Sequence, residues 1–240
     1  MKISALNRVS SLLTILVLVV VAHGYTPVAA AESALPRIVY KPPLRGAPLI
    51  RVGGGTRGLE TLILPAIEVL APNHVGLTRS SQPRLYWYIA DTTTAKIELT
   101  LIQATAERPV LELSLSNLAG PAIHVIDLSR HGIALTPNVD YQWSVALVPF
   151  SDTRSNDIVA SAAIRFVPSA KKERANQTSE VSKQAARLAE QGIWYDAFDT
   201  LSQAIASHPE DPANAAWRKM RATLLDQVGL ATAAAFDSIR

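Results

Sequence analysis

A mixed fold is predicted, β first and α second: an antiparallel β-sandwich followed by a small helical unit. Two observations predict the sandwich. From Gly76 to Val167 about seven short runs alternate apolar and polar residues with a period of two, separated by turn residues. Leu135-Thr-Pro-Asn-Val-Asp-Tyr141 then reads as a tyrosine corner: a Leu, a turn with Pro, and a Tyr entering a strand, its hydroxyl bonding backbone a few residues upstream. The helical unit is predicted by a change of period, because from Ser179 onward apolar residues recur every three or four positions.

Residues 1–31 read as a secretory signal peptide. Lys2 and Arg8 give a basic start, Leu12 to Ala22 is almost unbroken apolar sequence, and Val28-Ala-Ala-Ala31 offers small residues for cleavage after Ala30 or Ala31. The apolar run is about half the ~20 residues of a spanning helix, so an uncleaved anchor is the weaker alternative. No later stretch could span a membrane, which predicts an exported protein, periplasmic or extracellular, with no transmembrane span after signal cleavage. Removing Lys2 and Arg8 lowers 23 basic residues to 21 against 20 acidic ones, and the net charge from +3 to +1. The basic character is therefore partly that of the signal, and no nucleic-acid partner is expected. The chain has no cysteine. That excludes disulfides, a thiol nucleophile and thiolate metal ligands.

Residues 32–72 read as a Pro/Gly-rich basic arm and a first strand. Arg37, Lys41, Arg45, Arg51 and Arg57 fall between Ser33 and Leu59 with no acidic residue among them. Such an arm is extended or partly disordered and could touch an anionic surface; a solvated leader is the simpler reading. Gly53-Gly-Gly-Thr-Arg-Gly58 matches G-x-G-x-x-G after a short strand from Leu49 to Val52. Pro65 interrupts any following helix and no acid sits at the required distance, so a turn that lets Arg57 swing is expected and no cofactor is.

Residues 73–168 are assigned to the sandwich. Leu85, Trp87 and Ile89 share a face, as do Ile97, Leu99 and Leu101, then Leu111, Leu113 and Leu115; Ala122 to Leu128 is a further strand. Tyr141, Trp143, Val145 and Leu147 lie on one side of the corner strand, and Ile158 to Val167 follows. A Trp in an early strand, a tyrosine corner and no disulfide fit an immunoglobulin-like fold of the fibronectin-III kind best. Residues 169–178 read as a charged linker.

Residues 179–240 are assigned to a three-helix unit. Ser179 is a plausible N-cap, and Val181, Ala185, Leu188 and Ala189 form a stripe that Gly192 stops. A second helix runs from about Trp194 to Ser207, ended by His208-Pro209. Asp211-Pro212 starts a third, with Trp217, Met220, Leu224 and Val228 as its stripe. The spacing of Ala185, Gly192, Trp194, Ala197, Ala204 and Pro209 is that of one tetratricopeptide unit, in which small residues let two antiparallel helices pack closely.

Gly192-Ile-Trp-Tyr-Asp-Ala197 carries a further likeness. With Gly53 to Gly58, Leu70-Ala-Pro72, Gly76-Leu-Thr78, Tyr141-Gln-Trp143 and Val228-Gly-Leu230, it resembles an exported bacterial family, frequent in cyanobacteria, known as domain of unknown function 928. The likeness covers nearly the whole mature chain, and the Gly-Ile-Trp-Tyr-Asp block is its most specific part. The resemblance implies export and architecture but no chemistry. Many members of that family carry cysteines, and this chain has none.

No catalytic constellation stands out. His74, His124, His131 and His208 lie apart without metal-ligand spacing. His124 and His131 flank Asp127 and Ser129, but no nucleophile elbow accompanies them. Glu98 and Glu112 could pair across adjacent strands, but solvated strand faces are the reading taken for them. Trp194, Tyr195 and Asp196, with Arg57, are the candidate partner-binding residues. Trp194 is expected in the core by the tetratricopeptide analogy, and Tyr195 and Asp196 are expected to be the more exposed. The leading expectation is a non-catalytic binding or assembly factor of the cell envelope whose partner is an envelope protein or an anionic surface. The alternatives are a hydrolase acting on a cell-wall polymer and a structural surface protein held by its basic arm.

Overall fold

The computed structural model describes residues 36–43, 64–169 and 178–239, with side chains in the first helix from residue 181. The signal segment, the strand expected at Leu49 to Val52, the Gly53 to Gly58 run with Arg57, the Ser179 side chain and nearly all of the charged linker lie outside these residues. The described residues belong to one compact unit, Leu35–Arg240.

Strands precede helices, as the periodicity predicts. One sheet has three antiparallel strands in the order β1 (Ile67–Val69), β3 (Arg84–Ile89), β6 (Ala122–Asp127). The other has five in the order β2 (Gly76–Thr78), β8 (Ile158–Phe166), β7 (Asp140–Val148), β4 (Lys96–Gln103), β5 (Leu111–Leu115). A wholly antiparallel arrangement is corrected at one edge, where β2 runs parallel to β8 with Gly76 opposite Ile164. Residues 67–71 are buried in the shared core, so the first strand is part of the sheet structure rather than of the arm.

The alternation that predicts each strand places its core residues. Ile97, Leu99 and Leu101 of β4 and Trp143, Val145 and Leu147 of β7 are fully buried, in register as cross-strand pairs. Thr136 N–H and hydroxyl both lie 3.2 Å from the Tyr141 hydroxyl, the upstream bond that the corner sequence predicts. β3 departs from simple alternation. Leu85, Trp87 and Ile89 face one way, yet Tyr86 and Tyr88 are buried on the other side, against Phe198 and Phe236 of the helices. The three-stranded sheet is therefore a middle layer, covered on both faces.

Among the described residues four α-helices follow where the sequence predicts three: α1 (Thr178–Glu190), α2 (Trp194–Ser207), α3 (Asn214–Gln227) and α4 (Ala231–Ser238). α1 and α3 end alike. Gly192 and Gly229 take φ +76°, and the next residue returns its N–H to the last turn, Ile193 to Leu188 and Leu230 to Leu225. Each helix is thus turned into the next by a Gly followed by an apolar residue. α3 begins two residues past Pro212, with the Asp211 carboxylate accepting the Ala213 N–H. α4 has no side-chain cap of its own, because Leu230 precedes it. Glu68, buried on β1, accepts the Ala233 N–H at 3.2 Å and meets the positive end of the helix.

The bundle is closed by a buried bidentate pair. Arg221 of α3 donates to both Asp237 oxygens of α4 at 2.7 and 2.6 Å and to Ser202 of α2 at 3.0 Å, and its guanidinium lies over the Phe198 ring. Truncating Asp237 leaves a buried cation unpaired, so Asp237→Ala is expected to cost about 3–5 kcal/mol in a denaturant titration. The double replacement Arg221→Met, Asp237→Leu recovers most of that loss.

Candidate functional site

The Gly-Ile-Trp-Tyr-Asp block lies where α2 meets both sheets. Trp194 is fully buried and its indole N–H donates to the Leu70 carbonyl at 3.0 Å. The Tyr195 hydroxyl accepts from the Trp143 indole at 2.9 Å and donates to the Ala163 carbonyl at 3.1 Å. Tyr195 approaches β2 so closely that a Cβ on Gly76 would stand 2.6 Å from its ring; only glycine fits there. Gly192 has the same role toward the arm, since a Cβ would meet the Lys41 carbonyl at 2.8 Å. Segments far apart in the chain, at residues 70, 76, 143 and 192–196, converge on this joint.

A cleft of about 270 Å³ opens beside it, lined by Thr78, Ser80, Gln82, Arg84, Asp196 and Asp199 among others. Asp196, in the first turn of α2, accepts the Arg79 N–H with both oxygens at 3.1 and 3.0 Å. Burial pushes its carboxyl up to about 6 against the pull of Thr78 and the Arg79 N–H, with nearby Asp199 adding to the rise. Asp199 accepts the Tyr86 hydroxyl at 2.6 Å and the Arg84 guanidinium at 3.2 Å, and burial raises its carboxyl too. Arg84 also pairs with Asp127 at 3.0 Å. Burial works against Asp127's charge, but the Ser129 hydroxyl and N–H, helped by Arg84, hold it below the usual carboxylate range. The cleft thus holds two carboxyl groups with raised affinity for a proton, both engaged by donors from the sheets.

A larger groove of about 980 Å³, counting its open mouth, runs between Pro36–Val39 and α3, where Lys219, Met220, Thr223 and Gln227 line it. The arm is fixed here rather than solvated. Ile38 and Tyr40 are buried, the Tyr40 hydroxyl meets His74 Nε2 at 2.8 Å, and the Tyr40 ring packs edge-on against Trp194. Gln227 accepts the Tyr40 N–H at 2.7 Å and donates to the Ile38 carbonyl at 3.1 Å.

The sequence-predicted residues divide accordingly. Arg57 lies outside the described residues. Trp194 is in the core, as the tetratricopeptide analogy has it. The expected exposure of Tyr195 is corrected: it is 3% exposed, because its hydroxyl finds two partners inside and Gly76 makes room for the ring. Asp196 is half-buried and turned to β2. Glu98 sits opposite Ser114 rather than Glu112, and hydrogen bonds from Arg154 and Lys96 pull its carboxyl down to about 2. Ser129 donates to Asp127, and His124 stacks on Trp87 with Nε2 on the Ala119 carbonyl, so no triad forms. Among the described residues no group of three His, Asp or Glu is placed to hold a metal ion. Asp199 and Gln227 escape sequence reading, since each is an ordinary polar residue of a helix until the fold supplies its partner.

Residues 52–237 match the family described as Domain of Unknown Function (DUF928). The chain belongs to that family. The DUF928 region therefore includes both sheets, the joint and all four helices up to Asp237. No curated protein matches the chain. Among solved structures, an engineered protein matches with 13% identity over 43% of this chain and a TM-score of 0.30, and the chain spans a fifth of its length, 20%. A computationally redesigned β-sandwich protein matches with 10% identity over 48% of this chain and all of its own (100%), TM-score 0.27. Astrotactin-2, a vertebrate-specific, perforin-like membrane protein involved in neuronal development, matches with 14% identity over 75% of this chain and 37% of its own, TM-score 0.28. Overlaps this loose carry no argument about the DUF928 chain.

Two outcomes follow from the joint. Tyr195→Phe strands the Trp143 N–H and the Ala163 carbonyl in a buried place, and is expected to destabilise by about 1–3 kcal/mol in chemical denaturation. Asp196 holds its proton more tightly folded than unfolded, so its contribution is full at low pH and is lost as pH rises through about 6. Between pH 5 and 7 stability should fall by roughly 1 kcal/mol on this account, with Asp199 acting in the same direction, and the slope should flatten in Asp196→Asn.

Proposed function

We propose that this chain is a non-catalytic binding or assembly factor of the bacterial cell envelope, exported by the leader at residues 1–31 and acting in the periplasm or outside the cell. Its body reads as an immunoglobulin-like sandwich joined to a tetratricopeptide-like helical unit. The tyrosine corner supports the first part, and the close α1–α2 hairpin around Ala185, Ala197 and Gly192 supports the second. Among the described helices none is long and apolar enough to cross a membrane.

The observation that carries the binding reading is the open groove along α3, with Arg37, Val39 and Lys219 exposed around it. Without its open mouth it holds about 530 Å³, within the ~300–1,000 Å³ usual for ligand sites. A hydrolase of a cell-wall polymer is the second reading, favoured by the raised carboxyls of Asp196 and Asp199 in one cleft. The sheet donors that hold both carboxylates argue against it, because a general acid or base must reach substrate.

Cross-linking in intact envelopes, followed by purification of the mature protein, separates the two. A discrete cross-linked partner is expected, formed equally well by Asp199→Asn. Release of soluble fragments from purified cell-wall polymer, abolished by Asp199→Asn, would reverse the order of the two readings.

A further inference from the structure

We propose that β6 is a self-association edge, paired in solution with the β6 of a second copy of this chain. Among the described residues β6 pairs with β3 alone and forms one edge of the three-stranded sheet. The register decides which of its peptide groups are left open. Leu70 and Ala66, which flank β1, bond with Tyr86 and Ala90, so the even-numbered residues of β3 turn to β1 and the odd-numbered ones to β6. Leu85, Trp87 and Ile89 thus face Ile126, His124 and Ala122, and the Leu128 N–H reaches the Pro83 carbonyl in the same phase. The N–H and C=O groups of Ile123 and Val125 therefore point away from the sheet, and among the described residues no hydrogen bond engages them.

An exposed strand edge is ordinarily blunted by a lysine, a proline or an outward charge. β5, at one edge of the other sheet, carries exposed Glu112. β6 has no lysine, arginine or proline, and its one carboxylate, Asp127, is tied back to Arg84. Val125, in the middle of the strand, is 45% exposed, on the face where Tyr86 opposite it is covered by Phe198. The helix layer stops short of this strand.

A second copy is singled out because the strand is its own complement. A two-fold axis at Val125 sets two β6 strands antiparallel, with Val125 against Val125 as a hydrogen-bonded pair and Ile123 against Asp127, so the outward groups meet one another. The two Val125 side chains then share a face and cover each other. The ends match in charge. Exposed Asp91 packs against Gly120 just ahead of β6, where a Cβ on Gly120 would stand 2.5 Å from its carbonyl, and exposed Arg130 and His131 follow the strand. Antiparallel pairing brings the acidic end of one copy to the basic end of the other. An unrelated extended peptide could use the open peptide groups, but the valine on the axis and the opposite charges at the two ends are what the chain's own copy supplies. By itself an edge of 6 residues buries less than the ~1,200 Å² of a standard stable interface, so the dimer is one that dilution dissociates.

Sedimentation velocity of the mature protein from low-micromolar to near-millimolar concentration should show a monomer turning into a dimer. Val125→Lys sets two cations against each other on the axis and should leave only monomer over the same range, at an unchanged denaturant midpoint. Arg130→Glu and Asp91→Lys should each weaken the dimer several-fold, since each contact occurs twice by symmetry, and the two together should restore it. Those residues flank opposite ends of one strand, so the rescue can come only from the partner copy. Because the chain has no cysteine, Val125→Cys reads the register directly. Its two Cα atoms would lie about 5.5 Å apart, within disulfide reach, and mild oxidation should link two copies, whereas Glu112→Cys on the other sheet should stay unlinked. A wild type that is monomeric throughout overturns the proposal, and so does a dimer that survives Val125→Lys unchanged or that oxidises faster through Glu112→Cys. A monomer whose Val125→Cys variant is captured in the envelope by a different protein overturns it too, and gives the edge to that partner.

Discussion

The Tyr195 hydroxyl is the point on which the rest of the structure depends. It takes the Trp143 N–H from β7 and gives its own proton to the Ala163 carbonyl of β8, so one buried oxygen ties α2 to two central strands of the five-stranded sheet. The neighbouring Trp194 ties the same turn of α2 to Leu70, just past the three-stranded sheet. A hydroxyl buried without partners would cost several kcal/mol, and with two partners it becomes specific about geometry, because no other placement of the helix satisfies all three groups. Gly76 follows from that constraint: strand formation as such does not require it, and it clears space for the Tyr195 ring. Gly192 has two reasons to be glycine, its φ of +76° at the end of α1 and the close approach of the Lys41 carbonyl.

The helices lean on the sheets for more than a surface to bury. α4 starts after Leu230, which offers no cap, and its orphan Ala233 N–H is met by Glu68 of β1. α2 carries Asp196 and Asp199, whose donors come from Arg79, Arg84 and Tyr86, none of them helical. A helix this dependent on distant partners has little reason to form alone, since short isolated helices are marginal in water. The two halves are consistent with a single cooperative unit in which the middle sheet is the shared layer.

That dependence also explains what the sequence makes legible. Period-two alternation locates β3, β4, β7 and β8 and their inward residues, because a strand's faces are local information. The tyrosine corner is legible for the same reason, with its partner Thr136 only five residues away. α4 is not, since Ala231–Ser238 lacks an apolar stripe and its cap lies in another part of the chain. Burial of Tyr195 is hidden in the same way: it follows from Gly76, which sequence reading takes only as a strand start. Tyr86 and Tyr88 look like the solvent side of a half-buried strand until the helices cover them. Of the candidate site, the block at 192–196 can be found as a motif, but whether it faces out or in depends on contacts that no local pattern encodes. Asp199 and the Gln227 clamp have no local signature at all.

The groove and the joint differ in how charge is used. Inside, the cations are matched: Arg221 with Asp237, Arg84 with Asp127 and Asp199. Leaving one of these buried groups alone would cost more than the pair contributes. At the groove rim Arg37 and Lys219 are exposed and solvated, where a single ion pair contributes about 0–1 kcal/mol. The arm beside them is held by the same means as the interior, by Gln227 on its backbone and by Ile38 and Tyr40 in the core, so the rim cations sit on a segment that is already ordered rather than on a flexible tail.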